Sequence, residues 1–138
     1  VQTYDQAVDI ILELPNHPLP IYFDLSQLEQ ILANLCSNGL RYSKKNTGEM
    51  KIRLHAYMHE ALGTPYLEVI DSGVGLSQEQ YQQVFEPFFT TETKGTGLGL
   101  YIARELCLAN QASLEYRRTN EGLSCFQIGF SHSNRVIA

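Results

Sequence analysis

Apolar and polar residues alternate along Met50–Met58, with Met50, Ile52, Leu54 and Ala56 on one side, which predicts a half-buried strand. Apolar, β-branched runs predict further strands over Ala7–Leu14 and Tyr66–Ile70, and a short one over Ile21–Phe23. The period then changes. Leu28, Ile31, Leu32, Leu35, Cys36 and Gly39 recur at intervals of three and four. They share one face of a helix that Asp24 or Ser26 caps, that runs to about Ser43 and that ends by Asn46-Thr47-Gly48. A second long helix is predicted from Gly97 or Leu98 to about Asn110, with Leu98, Ile102, Leu106 and Ala109 as its apolar seam. A short helix is expected over Gln78–Val84. Two last strands, Ser113–Arg117 and Ser124–Phe130, are joined by the turn Asn120-Glu121-Gly122. Strands on one side and two main helices on the other predict an α/β two-layer sandwich.

Composition narrows the functional classes. With 138 residues the chain fits one domain, and a hydrophobic share of 43% against 18% charged excludes a disordered segment. Fifteen acidic residues against ten basic ones leave a net charge of −5, the wrong sign for a nucleic-acid binder. Basic residues cluster only at Lys44-Lys45 and Arg117-Arg118. No apolar run approaches the roughly 20 residues of a membrane helix, so no membrane contact is expected of this domain. The opening VQTYDQAVDI lacks the basic start and apolar middle of a signal peptide. Cys36, Cys107 and Cys125 are far apart and form no CxxC, which indicates neither a zinc site nor a disulfide framework and suits a reduced, cytoplasmic setting.

Four segments carry candidate chemistry. On the first helix, Gln30, Asn34, Ser37, Asn38 and Arg41 fall together opposite the apolar face. A carboxamide oxygen is a neutral hard ligand suited to a well-hydrated Mg²⁺, and an arginine beside it can meet phosphate oxygens. The alternative is an ordinary solvated helix face. Next, Asp71-Ser72-Gly73-Val74-Gly75 follows a strand directly. A carboxylate there can accept from an exocyclic amino group such as adenine's, whereas guanine presents a carbonyl. The alternative is a simple strand-ending turn. Third, Gly95-Thr96-Gly97-Leu98-Gly99-Leu100 opens the last long helix, whose first-turn amides and dipole favour phosphate. Its spacing is neither that of a Walker loop nor that of the dinucleotide fingerprint, so it also reads as a flexible, glycine-rich start to a helix. Between the last two, Phe85, Phe88 and Phe89 lie in a predicted loop, either anchoring a mobile segment or serving as core aromatics.

In this order the four segments resemble the catalytic ATP-binding domain of bacterial sensor histidine kinases, of the gyrase/chaperone/histidine-kinase/mismatch-repair ATPase superfamily. Asn34–Ser43 looks like the N box, Asp71–Gly75 the G1 box, Phe85–Phe89 the F box and Gly95–Leu100 the G2 box. Leu123–Phe130 looks like the closing strand, with Ser124 where a threonine is usual, and Gly39 stands where alanine is usual. Within the family these residues are most like the nitrogen-regulation and type IV pilus sensor groups.

The resemblance implies a mixed sheet of about five strands covered on one face by about three helices, with ATP between the two long helices. It implies that Asp71 accepts from adenine, with Gly73, Val74 and Gly75 shaping the base pocket and Ser124 beside it. Asn38 would ligate Mg²⁺ with Asn34 close by, and Arg41 and Tyr42 would lie near the phosphates or ribose. Thr96, Gly97, Leu98, Gly99 and Leu100 would serve the phosphates, and about Phe88 to Thr96 would form a lid, whose polar, glycine-ended stretch Thr90–Thr96 is expected to be mobile when empty. Hydrolysing members place a glutamate where this chain has Asn34, which implies slow hydrolysis. No catalytic residue is expected in this chain. His17, His55, His59 and His132 lack the context of a phospho-acceptor, so the acceptor histidine belongs to a separate dimerisation domain of the same parent. The chain, 1–138, is then one catalytic domain excised from a larger sensor kinase, beginning just after the dimerisation helices. A response regulator acts downstream, and the parent is anchored in the bacterial inner membrane with this domain in the cytoplasm. A protein-serine kinase of the anti-sigma-factor type, or a non-catalytic nucleotide-binding or docking module, fits the same residues.

Overall fold

The computed structural model describes residues 7–90 and 97–130. Its elements in chain order are β1 (Val8–Glu13), α1 (Leu25–Thr47), β2 (Met50–His59), β3 (Thr64–Asp71), the single turn α2 (Gln80–Gln83), α3 (Gly99–Ala109), β4 (Ser113–Arg118) and β5 (Ser124–Gly129). The five strands form one sheet in the order β1-β2-β3-β5-β4. Only β1 and β2 run parallel, joined by the right length of chain for a helical crossover, and the remaining neighbours are antiparallel. The helices pack on one face, so the two-layer mixed architecture expected from the sequence is the one observed.

Asp24 caps α1 by accepting from the Gln27 amide (2.9 Å) and the Ser26 hydroxyl (2.7 Å). Its last residue, Thr47, lies four residues beyond the expected stop near Ser43, and Gly48 caps it in the left-handed region. At Gly39, a methyl group would lie 2.9 Å from Ile52 Cγ2 and 3.4 Å from Asp71 Cβ. The glycine that weakens the helix therefore lets α1 settle closely on β2 and β3. Gly39→Ala is expected to lose stability, by about 1 kcal/mol net. Overpacking costs roughly 1–3 kcal/mol and outweighs the roughly 1 kcal/mol gain in helix propensity. Urea denaturation checks this, and a stabilised variant would contradict it.

Three expectations need correction. Ile21–Phe23 is not a strand. Ile21 and Phe23 pack on the core, with Phe23 edge-on to Phe130 at 5.6 Å, while Tyr22 is exposed, and Pro18 and Pro20 remove donors that pairing would need. The α3 seam is Leu100, Ala103 and Cys107, all buried, while Ile102, Leu108 and Ala109 face outward. The short helix is one turn rather than the whole of Gln78–Val84.

The sheet face turned away from the helices is polar. Glu68 is only 3% exposed, so its charge needs partners. It accepts from Tyr57 Oη (3.0 Å), Gln127 Nε2 (2.7 Å) and Arg117 Nη1 (3.1 Å). Burial, reinforced by the Glu68 charge, pushes the Tyr57 phenol up to about 12 and keeps it a donor. The three cysteines are free thiols, and burial pushes Cys107 and Cys125 up to about 12.

Candidate functional site

The antiparallel packing of α1 and α3 leaves a cleft of about 610 Å³ at the N-terminal end of α3, a volume suited to a small-molecule ligand. One wall is the polar stripe of α1. Asn34, Asn38, Arg41 and Tyr42 line it, and the stripe continues one turn further through Lys45 and Asn46. Arg41 Nη2 donates to Asn38 Oδ1 at 2.7 Å, and the Arg41 guanidinium lies 5.4 Å from the centre of the Tyr42 ring. Arg41 and Lys45 give this wall two positive charges.

The floor is made by β4 and β5 through Tyr116, Ser124 and Phe126, with the end of β3 behind it. Asp71 is 2% exposed and stands opposite Ser124, which lines the cleft. Asp71 Oδ1 accepts from the Gly73 amide at 2.8 Å, an Asx-type turn that starts the glycine loop. Oδ2 is buried and has no hydrogen-bond partner among the described residues. Burial raises the Asp71 carboxyl to about 6, against the opposing pull of the Gly73 amide, the Ser124 hydroxyl and the Arg118 charge.

The third wall is the start of α3. Unlike α1, this helix has no side-chain cap at its N-terminus, where Leu98 is the flanking residue. Its first-turn amides therefore form an electropositive end beside the cleft. Gly97 has φ +74° and packs directly against the backbone of Phe88, whose amide donates to Gly97 O at 2.8 Å. Of the three phenylalanines, Phe85 is buried, Phe89 packs partly on the core and lines the cleft, and Phe88 is 73% exposed.

Ten of the expected site residues line this one cleft: Asn34, Asn38, Arg41, Tyr42, Val74, Gly75, Gly97, Gly99, Leu100 and Ser124. Asp71, Gly73 and Leu98 do not line it, and Asp71 lies behind the wall rather than on it. Thr96 lies outside the described residues. Lys45 and Asn46 follow the same helical period in the last turn of α1, past the expected stop near Ser43. Tyr116 and Phe126, which also line the cleft, carry no local signal because neighbouring strands bring them there.

Comparison with known proteins defines the class. Residues 23–134 match the family described as "Histidine kinase-, DNA gyrase B-, and HSP90-like ATPase", and the chain belongs to that family. Among its relatives is the sensor protein kinase PilS of Pseudomonas aeruginosa, 46% identical over 125 residues that span 91% of this chain and 24% of that protein. The sensor histidine kinase WalK of Bacillus subtilis is 33% identical over 78% of this chain and 18% of its own length. The chain thus spans about a quarter or less of these relatives. Among solved structures, the nucleotide-free catalytic domain of histidine kinase ThkA superposes with a TM-score of 0.71 at 28% identity, covering 91% of this chain and 79% of that one. Full-length ShkA in complex with AMPPNP superposes with a TM-score of 0.71 at 26% identity, over 89% of this chain and 25% of that one. The fold is that of a histidine kinase catalytic domain. Among the described residues no helix is long and apolar enough to cross a membrane.

Proposed function

We propose that this chain binds Mg-ATP in the cleft between α1 and α3 and presents the γ-phosphate to a histidine on a separate dimerisation domain of the same parent, in two-component signalling. The observation that carries the reading is Asp71 Oδ2, a buried acceptor with no hydrogen-bond partner among the described residues, behind a cleft whose other end is a helix N-terminus without a side-chain cap. An amino group satisfies such an acceptor, and a carbonyl does not, which favours adenine over guanine. On this reading Gly73, Val74 and Gly75 shape the base pocket beside Ser124. Gly97, Leu98, Gly99 and Leu100 offer the α3 terminus to the phosphates. Arg41 and Tyr42, joined by Lys45, face the phosphates or ribose.

The donor set fits a Mg²⁺ brought in by the phosphates. Among the described residues no three His, Cys, Asp or Glu side chains form a metal cage, and such an ion needs only one or two protein oxygens. Asn38 Oδ1 is the oxygen that would hold it, using the lone pair not taken by Arg41, with Asn34 close by. The ion supplies neutralisation of phosphate charge during transfer.

Asn34 cannot take a proton from water at neutral pH. ATP turnover by the chain alone is therefore expected to be very slow and unchanged in Asn34→Ala. Robust turnover abolished by that substitution would contradict the assignment. His17 sits in a proline turn and bonds Pro18 O, and His55 lies 3.4 Å from Glu68 on the sheet face away from the cleft, so neither is placed as an acceptor. The parent, on this reading, is anchored in the bacterial inner membrane and passes its phosphate to a response regulator. The test is incubation of the chain with γ-labelled Mg-ATP and the purified dimerisation domain of its parent. Label is expected on that domain's histidine as an acid-labile adduct. Label on a serine would point instead to a protein-serine kinase.

A further inference from the structure

The turn after β3 has no secondary structure of its own, yet it forms a wall of the cleft through Val74, Gly75 and Leu76. Side chains from two sides satisfy its backbone. From α1, Ser43 Oγ accepts from the Ser72 amide (2.9 Å) and Asn46 Nδ2 donates to Ser72 O (2.8 Å). From β4, Tyr116 Oη accepts from the Leu76 amide at 3.1 Å. Arg118, two residues on along the same face of β4, does most of the remaining work. Its Nη2 donates to Val74 O at 3.1 Å and to Leu76 O at 3.2 Å, and its Nη1 donates to Gly122 O in the β4–β5 turn at 3.0 Å. Among the described residues its hydrogen-bond partners are carbonyls, not carboxylates.

The fit is reciprocal. Gly75 has φ +83°, and a Cβ built on it would lie 2.6 Å from Arg118 Cζ. The glycine is thus required both by the backbone conformation and by the guanidinium seated against it. A planar fork with five donors can serve three carbonyls at once, whereas an ammonium is a point donor on a flexible stem.

We propose that Arg118 is a positioning residue of the nucleotide cleft, its guanidinium fixing the Val74–Leu76 turn in the shape that receives the base. This rests on the nucleotide reading above. Without the guanidinium, the Val74 and Leu76 carbonyls lose their protein partner, and binding must order a turn that is otherwise already set.

The test compares Arg118→Ala and Arg118→Lys with the parent chain by titration with ADP and with a non-hydrolysable ATP analogue. Hydrogen exchange at the Leu76 amide is followed in the absence of nucleotide. Both variants are expected to bind both ligands roughly 10-fold more weakly by the same factor, a loss of order 1.4 kcal/mol, because the defect sits at the base and not at the phosphates. Exchange at Leu76 is expected to rise while the Glu115 and Ile128 amides in β4 and β5, which face neighbouring strands, stay protected. A general loss of structure would raise exchange at all three. Wild-type affinity in folded Arg118→Ala, full rescue by Arg118→Lys, or a loss confined to the triphosphate would each overturn the proposal. Should the parent chain bind no adenine nucleotide, the nucleotide reading fails, and with it the ligand-positioning role. Unchanged Leu76 exchange in Arg118→Ala or Arg118→Lys would remove the structural basis independently of any ligand.

Discussion

Asp71→Asn is expected to stabilise the empty domain at neutral pH while weakening its hold on ATP. The carboxyl is buried and raised to about 6 from the ordinary 3.8, so the folded chain binds this proton more tightly than the unfolded chain does. A raised carboxyl contributes a stability that declines as pH climbs from 3.8 towards 6, and above that range its ionised form is a full penalty. At about 1.4 kcal/mol per pH unit, that penalty is of order 2–3 kcal/mol. Asparagine keeps an oxygen for the Gly73 amide and carries no charge. Its NH₂, however, takes the place of the unpartnered Oδ2, and a donor then faces the adenine amino group. Loss of a hydrogen bond to a charged group costs about 1.5–3 kcal/mol, or roughly 10- to 150-fold in affinity. Thermal melts across pH check the first half: the variant melts higher at pH 7, and the gap closes below about pH 4, where Asp71 is protonated in both states. A lower Tm at pH 7 together with unchanged ATP affinity would remove Asp71 from both roles.

Gly97→Ala is expected to be the most damaging single-methyl change near the cleft. At φ +74° an L-residue is strained. The added Cβ would also lie 2.6 Å from Phe88 Cα and 2.7 Å from Phe89 O, backbone atoms that cannot rotate away. The strain of roughly 1–2 kcal/mol and an overpacking cost of roughly 1–3 kcal/mol predict a loss of about 2–5 kcal/mol by denaturant unfolding. The contact also joins the Phe85–Phe89 segment to the start of α3. Forcing it apart displaces the amides offered to the phosphates. The ATP analogue is therefore expected to lose more affinity than adenosine does. Wild-type stability would show that the Phe88–Gly97 contact is not fixed.

The parts of the fold that were legible in the sequence are those where one physical signal dominates. β2 alternates because the helix layer covers only one of its faces. Asp24 and Gly48 bracket α1 through cap chemistry that depends on neighbours in sequence. The seam of α3 was not legible, because Leu98, Leu100, Ile102, Ala103, Leu106 and Cys107 make the helix apolar on most sides. Contact with α1 and β4, not periodicity, selects Leu100, Ala103 and Cys107. Ile21–Phe23 has strand residues but follows Pro18 and Pro20, which remove donors that pairing would need. The cleft divides in the same way. Asn34, Asn38 and Arg41 were found because one helix displays them together. Tyr116 and Arg118 were not, because the pairing of β4 with β5 brings them to the glycine loop from some 40 residues away in sequence. Asp71 was recognised from the turn that follows it. That its second oxygen is left without a partner is visible only once β5 packs beside β3.

The central claim is that the cleft between α1 and α3 is an adenine-nucleotide site that needs nothing beyond this chain to bind. Calorimetric titration with ADP and a non-hydrolysable ATP analogue, with and without Mg²⁺ and with GTP as control, tests it most directly. Saturable binding of both adenine nucleotides, strengthened by Mg²⁺ for the triphosphate and absent for GTP, is the predicted result. No binding by the folded chain, or equal binding of GTP, would contradict it.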